Sequence, residues 1–497
     1  MKKTVYILAF ALLPALMLPA GCTKDKGSYD YREIVTAEIG ALPSRLAVER
    51  FSNIRIEPQI VFSDPSITFD EFDYIWFTDP DTYYGDYKLL SQERILDVQI
   101  TSTIGDHYLG FRVINKETGV YNDAATSFMV TNENGVGYML LSSINGDAEL
   151  TFVSENGKII RDVFETVNGY KIGKNPLKLH LSQNTYQGNY FVWILCDDAA
   201  AGGGVVLDPL TFNMFRRYED MFMFKPDRIK PQVVASEGAV MMYEVTVNDG
   251  VLYSRQDAYY SLTEPIEFTV PVGGNYYVDD FIFCWGLGYF FAYDKIGQRF
   301  LRYNHAQSLV YQDISDPGEG AAFDPRDVGM DMLAGYMCGT TDAKYAGRTI
   351  MKDSNGDVHL LSFVATEVSM NGDIVPDRIF NVGDHIGINQ ANVFAIKSEG
   401  EFAYYSIDNQ IHMSSFLTGL YRGVMYDQMP AGLTIDCMRV DRKFGRNELW
   451  VAASNGSESA DSGSFFIFDV SSDGTLTKKA EYLNCCGKVV DILFKHR

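Results

Sequence analysis

The sequence predicts an all-β chain: an N-terminal Ig-like β-sandwich, then a β-propeller of about seven blades. Three observations predict it. Aromatic residues fill 13% of the 497 positions and there are 43 glycines, the composition of short strands joined by tight turns. Apolar stripes at helical spacing are few. From residue 134 onward a unit of apolar strand, turn, aromatic strand, turn and strand recurs roughly every 50 residues, a blade-like period.

The first segment reads as a leader. Lys2 and Lys3 form a positive start, Val5 to Leu18 an apolar run, and Pro19, Ala20 and Gly21 a small or turn-forming end. That is a secretory signal over residues 1–21, too short to be read first as a membrane span. Cys22 follows directly and is the expected lipid attachment point. Each buried CH₂ of an acyl chain contributes roughly 0.8 kcal/mol, so several chains hold a soluble domain on a bilayer. Pro19 stands where a bacterial lipobox has Leu, and a secreted chain cut near Ala20 is the other reading. Residues 22–34 are mostly polar and read as a tether. Thr23, Lys24, Asp25 and Lys26 are similar to the charged export stretch of Bacteroides-type surface lipoproteins. The expected location is therefore the outer membrane, lipid-anchored and exposed at the cell surface.

Composition excludes some partners. The net charge is −23, and loss of Lys2 and Lys3 with the leader leaves about −25. So acidic a chain repels phosphate backbones, and no nucleic-acid partner is expected. With 46% hydrophobic residues and a mean hydropathy of −0.09, the chain is globular. Of seven cysteines, Cys485 and Cys486 are adjacent, the rest are scattered, and no CxxC occurs. No zinc or thioredoxin pattern follows. Cys196 and Cys284 lie in apolar runs and read as buried thiols.

The sandwich is expected over residues 35–132. "IRIEPQIVF" (54–62) alternates, "FDYIWF" (72–77) centres Trp76, and "ILDVQI" (95–100) alternates again. Residues 107–130 read as two strands around a turn at Lys116–Gly119. Short strands around a central Trp are a sandwich pattern.

The propeller is expected over residues 134–497. In the first unit, Asn145-Gly146 and Asn156-Gly157 suit type I′ hairpins. The final stretch, "GKVVDILFKHR" (487–497), is one strand without a hairpin partner, available to pair with the first blade and close the ring. Six or eight blades, or further sandwiches, fit the same loose repeat.

Several stretches together resemble the PKD-like family of Bacteroidetes lipoproteins. They are "KGSYDY" (26–31), "IRIEPQIVFSD" (54–64), "YIWF" (74–77), "RVINKETGVYNDAATSFMVT" (112–131), "GYMLLSS" (137–143) and "GKVVDILFK" (487–495). The resemblance implies a surface lipoprotein associated with SusC/SusD-like outer-membrane uptake systems. It implies no particular chemistry.

Motifs for chemistry are absent. There is no G-x-S-x-G, H-E-x-x-H, P-loop or G-x-G-x-x-G. Neither catalytic residues, nor a metal site, nor a cofactor is expected. Neighbouring acids such as Asp79/Asp81, Asp197/Asp198 and Asp279/Asp280 read as solvated turn residues, since adjacent strand residues face opposite ways. "DSNGDVH" (353–359) has half of a calcium loop, but its Gly falls at the wrong position, so a hairpin turn is expected. Trp193, Trp285 and Trp450 read as core. The candidate ligand site is "DPDTYYGDY" (79–87), where Tyr83, Tyr84 and Tyr87 beside Asp81 are placed to stack on sugar rings, the alternative being that the loop packs against its own sandwich.

The expected function is a non-catalytic surface lipoprotein, anchored by lipid to the outer membrane. It binds or presents a nutrient, a polysaccharide or a peptide with glycan preferred, for a SusC/SusD-like transporter complex. The alternatives are a propeller glycosidase or polysaccharide lyase, and a ligand-free accessory of the transporter.

Overall fold

The computed structural model describes residues 34–43, 46–49, 52–79, 87–100, 102, 104–131, 136–183, 190–236, 243–256, 267–286, 289–305, 309–339, 345–366, 372–397, 399–440 and 446–495. The chain divides into two compact units, Met1–Val130 and Thr131–Arg497. Strands dominate both, and the one described α-helix is the short Val163–Asn168.

The first unit is built on a long hairpin, Gly105–Asn115 with Tyr121–Thr131. Its turn forms because the Asn115 side chain accepts from the backbone N–H groups of Glu117 and Thr118, at 2.9 and 3.0 Å. Gly119 then takes a φ of 70°. A five-stranded sheet runs Leu46–Glu49, Tyr121–Thr131, Gly105–Asn115, Phe72–Thr78, Lys88–Ser91. Two ribbons complete the unit: Ala37–Ile39 with Ile60–Phe62, and Asn53–Ile56 with Leu96–Gln99. The stretch 54–62, expected as one strand, is two strands with different partners. Pro58 explains the break, since it has no N–H to continue a ladder. Alternate residues face the core: Phe72, Tyr74 and Trp76 from one strand, Leu109, Phe111 and Val113 from the next. Trp76 is fully buried, its ring 4.2 Å from that of Phe111.

The second unit is a seven-bladed propeller. In chain order, blades 2 to 7 begin with the strands Pro176–Gln183, Pro231–Ser236, Val278–Gly286, Asp331–Gly339, Phe394–Ile396 and Thr434–Val440. Each continues outward as an antiparallel meander of four strands, three in the described residues of blade 3. Blade 1 takes its inner strand from the far end of the chain. Lys488–Lys495 pairs with Gly137–Ile144, followed outward by Asp147–Ser154 and Ile159–Ile160. The lone final strand expected to close the ring does so. The seven inner strands touch one another in a complete circuit: blade 1 against 2, 2 against 3, and so on to 7 against 1.

The blades stack through their second and third strands. Tyr243–Asn248, Tyr289–Asp294 and Glu448–Ser454 are buried along their whole length, because both faces meet a neighbouring blade. Trp193 and Trp450 are core, as expected. The side chain of Trp285 lies outside the described residues. Cys196 is fully buried, whereas Cys284 is only half-buried. At Asn145-Gly146 both residues have positive φ, 53° and 81°, as a type I′ turn requires. At Asn156-Gly157 only Gly157 does, at 85°. That turn is therefore not type I′: the Ser154 hydroxyl and Asn156 carbonyl accept from Lys158 N–H and hold a different bend. The 353–359 stretch is a hairpin turn. Asp353 accepts from the Asn355 and Asp357 amides, both at 2.9 Å, and lies 3.0 Å from the His359 ring.

Candidate functional site

Two surfaces carry concentrated side-chain chemistry, one in each unit. The first is the propeller channel, lined by the inner strands. Polar side chains tie these strands together across blade boundaries. Asp491 of blade 1 accepts from the Leu179 amide of blade 2 at 2.9 Å and from Arg439 Nε of blade 7 at 2.7 Å. Burial works against the charged Arg439, and the Asp491 carboxylate overcomes it, raising the guanidinium further above its usual range. Lys178 of blade 2 reaches Asp280 of blade 4 at 2.9 Å, passing over blade 3. The pair joins the inner strands of two non-adjacent blades.

At this mouth the first strands of blades 2, 3 and 4 enclose a cleft of about 270 Å³. Its wall is polar and mixed in sign: Lys178, Lys230 and Lys295 against Asp197, Asp279 and Asp280, with Gln232 and Tyr277 between. Lys295 binds Asp279 at 2.8 Å. Bonding to Asp279 raises the Lys295 amine above the usual lysine range, as bonding to Tyr277 raises Lys230. Among the described residues, no three His, Cys, Asp or Glu side chains gather as a metal site.

The second surface is the outward face of the five-stranded sheet. Register places Leu89, Phe77, Gly110 and Ala125 in one row, and Ile75, Arg112 and Asp123 in the next. Because Gly110 has no side chain, the Phe77 ring lies across it; a methyl group there would overlap the ring. Tyr87 packs on Phe77 and Tyr108, with centroids at 5.1 and 5.7 Å. Arg112 grips Asp123 through two bonds of 2.7 and 2.8 Å and covers the Tyr121 ring at 4.1 Å. The bond to Asp123 raises the Arg112 pKa. Tyr87, Leu89 and Tyr121 stay 60%, 54% and 53% exposed, so the face is an aromatic platform open to solvent.

Of the residues expected to bind ligand, Tyr87 stands on this platform. Tyr83, Tyr84 and Asp81 lie outside the described residues, as does Cys22. Sequence reasoning missed Phe77, Tyr108, Arg112 and Tyr121 as its companions. Their two-residue alternation carried the signal: Phe77 opposes core-facing Trp76, and Tyr108 opposes Leu109. It also misses the Lys178, Asp280, Arg439 and Asp491 set, since from sequence Asp280 reads as a solvated turn acid.

Comparison with known proteins adds a family match to the first part of the chain. Residues 22–176 match the PKD-like family. That span takes in every described strand of the first unit and the three blade 1 strands from Gly137 to Ile160, but not the closing strand Lys488–Lys495. No curated protein matches the sequence. Among solved structures, a quinonprotein alcohol dehydrogenase-like protein from Bacteroides thetaiotaomicron is 13% identical, covering 91% of this chain and 96% of its own, with a TM-score of 0.40. The β-propeller domain of Cps50 (Swd1) from Myceliophteria thermophila is 12% identical, covering 67% and 96%, with a TM-score of 0.38. The extracellular domain of a putative one-component system from B. thetaiotaomicron is 9% identical, covering 89% and 60%, with a TM-score of 0.35.

Proposed function

We propose that this protein is a non-catalytic surface lipoprotein, held on the outer membrane through Cys22, that captures or presents a glycan for a SusC/SusD-like uptake system. The observation that carries the reading is the platform of Tyr87, Tyr108 and Phe77 beside the Arg112–Asp123 pair. A pyranose ring has an apolar C–H face that stacks on exposed aromatics. Its hydroxyl rim takes hydrogen bonds from charged groups at the edge. The apolar leader followed directly by Cys22 supports the location and the lipid anchor.

The test is titration of the mature chain with a panel of soluble polysaccharides, read by affinity electrophoresis. Binding of at least one polymer, abolished by Tyr87→Ala with Tyr121→Ala, is the expected result. A blank panel, with the transporter partner present, counts against capture and favours a ligand-free accessory. Protease shaving of intact cells, with Cys22→Ala as control, tests the location.

A second reading, a propeller glycosidase or lyase, rests on Asp197, Asp279 and Asp280 meeting in one cleft from two blades. It requires reducing-end or unsaturated-sugar release from a polysaccharide that disappears in Asp279→Asn or Asp280→Asn.

A further inference from the structure

Cys485 and Cys486 end the long outer strand of blade 7, one residue before the strand that closes the ring. Consecutive residues of a regular strand point to opposite faces, which would hold their sulfurs apart. Here they do not. Gly463 pairs with Cys486 and Phe465 with Tyr482, so Leu483, Asn484 and Cys485 together oppose Ser464. This bulge turns on Asn484, whose φ is 51°. Arg161 holds it by donating to the Asn484 carbonyl, and the Asn484 amide donates to the Ser464 hydroxyl at 3.0 Å. The result brings both thiols to one side, with an S···S distance of 3.6 Å. Both side chains are buried, in the cluster that also holds Trp450, Phe465 and Phe494.

We propose that Cys485 and Cys486 form a vicinal disulfide, fixing the joint from which the closing strand departs. The bulge already supplies the shared orientation that a vicinal bond needs; closing the eight-membered ring draws the sulfurs from 3.6 Å to about 2.05 Å and twists the peptide between the two residues. The oxidant is a low-molecular-weight or protein disulfide. The Cys485 thiolate attacks one of its sulfurs and releases one thiolate. The Cys486 thiol then loses its proton and attacks the Cys485 sulfur, breaking the mixed disulfide and releasing the second thiol. Two thiols are oxidised, one disulfide is reduced, and the two protons pass to the released thiolates. Burial at 1% and 0% exposure places this exchange before the last strand docks, or during its opening.

The test uses the full chain refolded in a glutathione redox buffer, then unfolded in iodoacetamide without reductant. Trypsin releases residues 480–488 as one peptide. The expected peptide is unalkylated and two hydrogens lighter than the dithiol, and it takes two alkyl groups once reduced. Two alkyl groups without reduction, or a link to glutathione or another cysteine, overturns the proposal. Cys485→Ser and Cys486→Ser each leave one alkylatable thiol and abolish the deficit. Amide exchange over residues 489–495 is expected to quicken when the wild-type bond is reduced. Unchanged exchange refutes the role at the joint.

Discussion

The Tyr138 hydroxyl donates to the Glu448 carboxylate at 2.9 Å, joining the second strand of blade 1 to the second strand of blade 7. The residues lie 310 positions apart and meet only because the ring closes. Glu448 also accepts from Trp450 Nε1 at 2.9 Å and from Lys479 at 2.6 Å. Burial alone would raise its pKa, but the bonds from Lys479, Trp450 and Tyr138 overcome it and hold the carboxyl below its usual range.

Glu448→Ala is therefore expected to lower stability by about 3–5 kcal/mol, because it strands buried donors. Glu448→Gln keeps an acceptor for Tyr138 and Trp450 and should cost less. Urea unfolding checks both. The folded pKa lies below the unfolded one, so the stabilisation is present above the unfolded value, about 4.3. It is lost as pH falls through the folded value, and the Gln variant should lack that acid-side decline.

Lys495 ends the closing strand with its side chain fully buried. Among the described residues its amine has no hydrogen-bond partner, and it sits 5.7 and 5.5 Å from the rings of Phe152 and Phe212. Burial lowers its pKa to about 7. Because the folded value is the lower one, the unfolded chain holds more protons between about pH 7 and 10.4, and stability should rise with pH across that window. Lys495→Met, which keeps the length and removes the charge, should be more stable near pH 7 and flatten the rise. Thermal midpoints at pH 7, 8, 9 and 10 for both chains check this.

Much of the propeller could be read because its second and third strands are buried on both faces. "YFVWILC" and "FFIF" are apolar runs that solvent-exposed chain would not tolerate. The inner strands were harder. Pro176–Gln183 presents Lys178, His180 and Ser182 to polar neighbours, so no continuous apolar run marks it. The candidate sites were least legible. Lys178 and Asp280 are 102 residues apart, and no local spacing announces their pairing. Tyr87 was grouped with Tyr83 and Tyr84 by adjacency, whereas its described neighbours, Phe77 and Tyr108, are set by sheet register.

Ring closure makes a prediction of its own. Deleting residues 488–497 removes the inner strand of blade 1 and leaves Gly137–Ile144 with an unpaired edge. It also removes Val489, Ile492 and Phe494 from the cluster shared with blade 7. An open ring exposes two blade faces and a bare edge, which favours aggregation. Loss of the cooperative urea transition and growth of light scattering are expected. A soluble deletion chain with an unchanged midpoint would contradict the closure energetics.

Gly110→Ala probes the platform without touching a residue that a ligand would contact. The new methyl group would meet the Phe77 ring, which lies directly across the glycine. Phe77 must tilt off the sheet, and Tyr87, packed against it at 5.1 Å, must follow. Crowding of this kind costs about 1–3 kcal/mol, so the midpoint of the first unit should fall while that of the propeller holds. Glycan binding should weaken in the same variant, because the stacked rings no longer share a surface. Gly105→Ala offers the contrast: no atom lies within 4 Å of its added methyl group, yet its φ of 133° makes alanine strained. It should lower stability with binding intact. Differential scanning calorimetry beside affinity electrophoresis separates the two. If Gly110→Ala lowered stability and left binding unchanged, the ligand would have to sit elsewhere than on Phe77 and Tyr87.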